Sequence, residues 1–246
     1  MADSKALVWD AEGEKYYETG VKKGVLYVKD KAANGTEGTV GKNGYKFGVA
    51  WNGLTGVTES PSGADITKLY ANDGVYANLQ AAEEFGGTIE AYTYPDEFKV
   101  CDGSAVPVKG MNVGQQNRKG FGFSYVTTVG NDEENLNFGY KIHIVYGCLA
   151  NPSEKAYQTI NESPEAITFS WEFSTTPVSC GGLKDADGNA LKATSIITID
   201  SKDYADEDGK AKLKALEDAL YGTETAAPYL PMPEEVFNIL SGTAAA

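Results

Sequence analysis

The stretch Ala166-Ile-Thr-Phe-Ser-Trp-Glu-Phe-Ser174 puts Ile167, Phe169, Trp171 and Phe173 on one parity and Thr168, Ser170, Glu172 and Ser174 on the other. Alternation with period two is the pattern of a β-strand with one buried face. A second run, Tyr140-Lys-Ile-His-Ile-Val-Tyr146, sets Tyr140, Ile142, Ile144 and Tyr146 against Lys141, His143 and Val145. Further strands are predicted over 25–29, 45–51, 88–94, 121–129 and 194–200. Asp187-Gly188-Asn189, between Leu183 and Leu191, predicts a tight hairpin turn, because Gly supplies a positive φ without steric cost. Asn34-Gly35 and Asn43-Gly44 bracket a Gly-rich stretch that reads as a mobile loop over 34–44.

One segment departs from the β pattern. Over 206–221, Ala211, Ala215 and Ala219 and Leu213, Leu216 and Leu220 recur at three- and four-residue spacing, predicting an amphipathic helix that ends at Gly222. Beyond it, Pro228, Pro231 and Pro233 predict an extended arm over 223–246 leading to Val236, Phe237, Ile239 and Leu240. Such an arm must dock on its own domain or on a neighbour, and its Pro-rich composition predicts that deleting 226–246 leaves the fold intact. The economical architecture is mainly β: a sandwich or open barrel in one domain, 1–246, with a single flanking helix.

Composition narrows the chemistry. The chain has 246 residues, with 35 Asp+Glu against 21 Lys+Arg, a formal charge of -14. That balance argues against a nucleic-acid binder, which needs a basic footprint, and against an anionic membrane surface. No apolar run approaches the ~20 residues of a membrane span, and the N-terminus carries no signal-peptide pattern. His143 is the one histidine, so any site requiring two is excluded. Cys101, Cys148 and Cys180 are odd in number and widely spaced, as expected of reduced thiols in a cytoplasmic setting.

Candidate catalytic and metal sites are few. Glu90 and Glu172 lie on predicted strands and could act as the acid and base of a retaining glycosidase, making a carbohydrate-active or carbohydrate-binding sandwich the alternative function. With 35 acidic residues, such a pair on strands arises readily by chance. Asp185-Ala-Asp187-Gly-Asn189 lacks the spacing of a calcium loop. Gly41-Lys42-Asn43 lacks the Ser or Thr of a phosphate loop. His143 sits on the polar parity of its strand with no recognisable nucleophile motif, which favours a structural role. The expectation is a non-enzyme with no cofactor and no metal.

Several segments in order carry a resemblance. They are Leu54-Thr-Gly-Val-Thr-Glu-Ser-Pro-Ser-Gly-Ala-Asp65, Leu69-Tyr-Ala-Asn-Asp73 and Ala81-Ala-Glu-Glu-Phe-Gly-Gly-Thr-Ile-Glu-Ala-Tyr-Thr-Tyr-Pro-Asp-Glu-Phe98. Then come Gly114-Gln-Gln-Asn-Arg-Lys-Gly-Phe121, Gly139-Tyr-Lys-Ile-His-Ile-Val-Tyr-Gly147 and Asn161-Glu-Ser-Pro-Glu-Ala-Ile-Thr-Phe-Ser-Trp-Glu172. The series closes with the helix around Leu213 and Leu230-Pro-Met-Pro-Glu-Glu-Val236. Over about 49–236 the chain resembles the major tail proteins, or tail tube proteins, of long-tailed bacteriophages.

The resemblance implies a virion structural protein of the tail-tube fold. It implies self-assembly into hexameric rings that stack into a tube, and DNA ejection through that tube. The implied partners are copies of itself, the tape measure, terminator and distal tail proteins, and genome DNA passing without specific binding. Assembly is expected in the host cytoplasm, with no membrane partner. The implied arms are 1–17, the loop 34–44 and 223–246, with Asn34, Gly35, Gly38, Gly41, Pro228, Pro231, Pro233, Val236 and Phe237 expected at subunit interfaces. The net charge predicts an acidic bore over which phosphates slide.

Overall fold

The computed structural model describes residues 6–34, 40–160, 162 and 166–243. Its strands are β1 (Tyr17–Val28), β2 (Gly41–Lys42), β3 (Tyr45–Lys46), β4 (Val49–Trp51), β5 (Leu54–Glu59), β6 (Ser62–Gly63) and β7 (Ile66–Ala71). They continue as β8 (Gly74–Gln80), β9 (Glu83–Glu84), β10 (Gly86–Ala91), β11 (Phe121–Asn131), β12 (Asn135–Ala150), β13 (Phe169–Thr175) and β14 (Ile196–Asp200). Two α-helices follow, α1 (Glu207–Tyr221) and α2 (Pro233–Ser241).

Seven strands form one antiparallel sheet in the order β4-β1-β11-β12-β13-β10-β5, and β14 adds to β12 beside β13. Its two end strands, β4 and β5, are consecutive in the chain and joined through Asn52 and Gly53, where φ of +71° turns the backbone. Side chains from strands far apart in that order therefore meet. The ring of Trp51 on β4 lies 5.5 Å from Phe123 on β11 and 5.6 Å from Trp171 on β13. Phe98, from the turn after β10, packs 4.6 Å from Trp51 and 5.2 Å from Trp171. Edge-on and tilted rings at these separations add to plain area burial. The sheet thus curls around an aromatic core of Leu26, Trp51, Ile89, Phe98, Phe121, Phe123, Trp171 and Phe173.

The opposite face has its own core. Alternation sends Leu26 and Val28 of β1 inward and Val25 and Tyr27 outward, and on β12 it sends Ile142, Ile144 and Tyr146 outward. The predicted parity of β12 is therefore observed. Leu213, Leu216 and Leu220 of α1 cover this outer face, and Ala211 and Ala215 face solvent. The helix begins at an Asp206 cap, whose carboxylate accepts from Gly209 N at 2.8 Å, and ends at Gly222. Tyr27 Oη donates to Leu220 O at 2.7 Å, fastening α1 to β1.

The segment after α1 departs from expectation. Instead of an extended arm, it lays Leu230 into the outer core, turns at Pro233 and forms α2, with Val236 buried in the same cluster. Tyr146 Oη donates to Pro231 O at 2.9 Å, and Gly48 N donates to Pro228 O at 2.8 Å. Of the two docking choices, the chain takes its own domain, and α2 is a second helix that the proline content concealed. Met232 N donates to the Glu235 carboxylate at 3.0 Å across the start of α2, and Pro233 at the first turn is compatible with a helix. Gly122 makes room for this strap: a Cβ there would stand 2.4 Å from the Leu230 side chain.

Other segments differ locally. The expected strand over 45–51 is interrupted at Phe47 and Gly48, where the strap crosses. Asn43 and Gly44, at φ of +59° and +78°, form a two-residue hairpin turn between β2 and β3. Residues 35–39 of the expected mobile loop lie outside the described residues. The predicted hairpin at 187–189 is present: Asp185 N donates to Asn189 O, Leu191 N donates to Leu183 O, and Gly188 has φ of +84°.

Candidate interaction surfaces

β5 and β10 do not stop where the sheet stops. Their pairing continues outward through β6 with β9 and then β7 with β8, so one two-stranded ribbon runs from Leu54 to Ala91. Ala64 N to Ala82 O and Ala81 N to Asp65 O bridge the joints. At the tip Asn72 and Asp73 both have positive φ, 50° and 60°, between Ala71 and Gly74. This is the two-residue turn whose twist suits a hairpin. It is a signal legible in Ala71-Asn72-Asp73-Gly74, and the sequence reading passed over it.

The ribbon carries Ile66 (64% exposed), Leu69, Tyr70 (70%), Val75, Tyr76 (75%) and Leu79. Apolar groups occur on both parities, so turning one face inward would not cover them all. Six such side chains, 41% to 75% exposed, leave on the order of 600 Å² uncovered across the two faces of the ribbon. An unsupported two-stranded hairpin is at best marginally stable in water.

A second uncovered segment lies at the N-terminal side. Leu7, Val8 and Trp9 are 77%, 73% and 76% exposed. Behind them, Gly13 N and Lys15 N donate to the Asp132 carboxylate at the tip of the β11–β12 hairpin, and Asn131 Nδ2 donates to Gly13 O. Tyr16 packs on Phe138, ring centroids 5.2 Å apart, before β1 begins.

The residues expected at subunit interfaces are placed as follows. Gly35 and Gly38 lie outside the described residues, and the backbone of Asn34 ends a short 3-10 turn. Gly41 is buried against Tyr45 and Lys46. Pro231, Pro233 and Val236 are buried within the subunit and Pro228 is half-buried, while Phe237 is 48% exposed. Lys42 pairs with Glu235 at 2.7 Å and lies 4.1 Å from the Tyr229 ring centre, latching β2 to the strap.

Glu90 and Glu172 share the exposed face of β10 and β13, where Glu90 faces Ser170 and Glu172 faces Thr88. They are diagonal neighbours, ~7–8 Å apart at the backbone. Glu90 lies along Gly56 of β5. Asp185 spends its carboxylate on Asp187 N, Asn189 N and Asn189 Nδ2 within its own turn. Among the described residues, no group of three or more His, Cys, Asp or Glu could hold a metal ion. Nor is any helix among them long and apolar enough to cross a membrane.

A polar cluster centres on His143, which is buried rather than on a solvated face. Its Nε2 is 2.9 Å from Thr127 Oγ1, and its Nδ1 is 3.2 Å from Glu59 Oε1 and 3.3 Å from Thr198 Oγ1. Tyr125 stacks parallel on the imidazole at 4.6 Å and donates its hydroxyl to Glu59. Thr127 Oγ1 also donates to Glu18 at 2.6 Å, and Lys141 pairs with the same carboxylate at 2.6 Å. Five strands, β1, β5, β11, β12 and β14, are tied together here.

The hydrogen bond from His143 and that from Tyr125 hold the Glu59 carboxyl below its ordinary range, against the opposing effect of burial. Burial raises the Tyr125 phenol, reinforced by Glu59. For Glu18, partial burial is outweighed by hydrogen bonds from Lys141 and Thr127, so its carboxyl is also lowered.

No protein-family model matches the chain, and no curated protein matches it. Among solved structures it is similar to a chain in "Cryo-EM structure of the anti-feeding prophage (AFP) baseplate, 6-fold symmetrised". The TM-score is 0.30 and the identity 7%, covering 72% of this chain and 92% of the other. It is also similar to a chain in "Cryo-EM Structure of an Extracellular Contractile Injection System, PVC sheath-tube complex in extended state". There the TM-score is 0.28 and the identity 11%, covering 72% and 88%. At these values neither likeness assigns a family.

Proposed function

We propose that this chain is a non-catalytic structural subunit of a phage-type tail tube, which self-assembles into stacked hexameric rings enclosing a conduit for DNA. The observation that carries the reading is the projecting β5–β10 ribbon with its six exposed apolar side chains. A ribbon of this kind is completed when sister copies cover its faces and pair its edges, which removes the aggregation hazard of open strands. The resemblance over about 49–236 supplies the kind of assembly. The net charge of -14 per copy supports a lumen wall that repels phosphate, and it opposes association at low ionic strength.

Electron microscopy of the purified full-length protein, at rising concentration and salt, tests the reading. Rings of six copies, stacked into hollow tubes of fixed diameter, are expected. Material that stays monomeric in sedimentation at every concentration and salt overturns it.

A further inference from the structure

β11 is flanked by opposite charge at its two ends, and its 11 residues set those ends about 36 Å apart at ~3.3 Å per residue. The loop that enters it, 103–120, holds Lys109, Arg118 and Lys119. It belongs to the longest interval of the chain without Asp or Glu, between Asp102 and Asp132. Val28 of β1 lies level with Phe121, so Lys29 and Lys31 stand at the same end. There Asp30 is shared by Lys46 and Lys119, Asp96 pairs with Lys99, and Asp102 pairs with Lys155. Lys29, Lys31 and Lys109 are exposed and have no ion-pair partner among the described residues, and the free acids at this end are Glu97 and Glu154.

The far end is acidic. Asp132, Glu133 and Glu134 form the hairpin tip between β11 and β12. Gly13 N and Lys15 N donate to the Asp132 carboxylate, which sets Asp10, Glu12 and Glu14 beside that tip. Lys15 pairs with Asp132 at 3.6 Å. Asp10, Glu12, Glu14, Glu133 and Glu134 are exposed, with no ion-pair partner among the described residues. Apolar side chains accompany the charges: Val106, Val108 and Met111 are exposed around Lys109, and Leu136 is exposed after Glu134.

Ends of unlike sign on one subunit repel their own kind and attract each other, which selects both the partner and its direction. Joining the basic end of one copy to the acidic end of another leaves one end of each free, so the contact can propagate along an axis, as stacking requires. We infer that the acid-free loop 103–120 receives the 132–134 tip of a second copy, and that this contact joins successive rings. The inference rests on the self-assembly proposed above and names the two surfaces that meet in stacking.

Two variants of the full-length chain test it. Lys31→Glu with Lys109→Glu reverses the loop end, and Glu133→Lys with Glu134→Lys reverses the tip. All four side chains are exposed, so the thermal midpoint of each variant is expected to stay within a few degrees of the parent. In electron micrographs each variant alone is expected to form rings but to lose roughly tenfold or more in tube length, since like charges then face each other. Mixing the two ring preparations is expected to restore tubes, because each altered end then meets its complement. Variants that stack as the parent does, or a mixture that stays as single rings, overturn the paired ends and leave the tube reading standing. Loss of tubes in the loop variant alone, with the tip variant stacking normally, assigns the loop to a different partner and also overturns them. A parent that never forms rings or tubes overturns both readings.

Discussion

His143 Nδ1 lies 3.2 Å from Glu59 Oε1, with the Tyr125 ring stacked on the imidazole and its hydroxyl donating to the same carboxylate. Thr127 uses its hydroxyl hydrogen on Glu18, so the Nε2 of His143 must donate to Thr127. Glu59 as a carboxylate can only accept. Thr198 Oγ1, 3.3 Å from Nδ1, is the other oxygen within reach of that nitrogen.

This arrangement makes the fold acid-sensitive through Glu59. Its folded pKa is depressed below 4.5, so its stabilising contribution is present above that pH and is lost as pH falls through the folded value. Thermal unfolding of the subunit followed from pH 6 to pH 3 is expected to show a midpoint falling below about pH 4.5. In Glu59→Gln the midpoint is lower at pH 6 and the slope below pH 4.5 is flatter. An unchanged slope in the variant removes Glu59 from the acid response.

Trp171 is the largest fully buried side chain, in contact with the rings of Trp51, Tyr94, Phe98 and Phe169. Trp171→Ala leaves a cavity that so many rigid rings cannot collapse into, and the expected loss is about 3–5 kcal/mol by urea denaturation of the monomer. A loss under ~1 kcal/mol contradicts the closed aromatic core.

Removing 226–246 takes away Leu230 and Val236 and uncovers Tyr27, Ile144 and Tyr146 in the outer core. Loss of cooperative unfolding, seen by circular dichroism, is the expected result, in place of the intact fold that the proline content suggested. The milder Val236→Ala is expected to cost roughly 1–3 kcal/mol.

The triple variant Leu69→Ser, Tyr70→Ser and Tyr76→Ser changes only exposed ribbon positions. Its thermal midpoint is expected to stay within a few degrees of the parent, while sedimentation shows association lost. A variant that assembles as the parent does excludes the ribbon as the principal contact.

At the start of α1, Asp206→Ala removes the carboxylate that accepts from Gly209 N. The expected cost is about 1 kcal/mol in chemical denaturation, with no change in association, because the cap is local.

Much of this molecule is written in local pattern. The parity of 167–173 identified the aromatic side of β13, the parity of 140–146 identified the outer side of β12, and the leucine spacing of 213–220 identified the buried stripe of α1. These are properties of neighbours two, three or four residues apart, and backbone geometry alone decides them.

Contacts between distant segments are not written in that way. His143 stands on a strand parity that reads as polar, and it is buried because Glu18, Glu59, Tyr125 and Thr198 converge on it from four other strands. Pro228, Pro231 and Pro233 predict an extended tail, yet the unfilled outer face between Tyr146 and α1 draws Leu230 and Val236 into it and lets α2 form. The ribbon shows the reverse: Leu69 and Leu79 are apolar, and the subunit supplies nothing to bury them. Local sequence determined which side chains share a face. The tertiary structure decided which faces are covered, because that depends on what segments far along the chain bring to them.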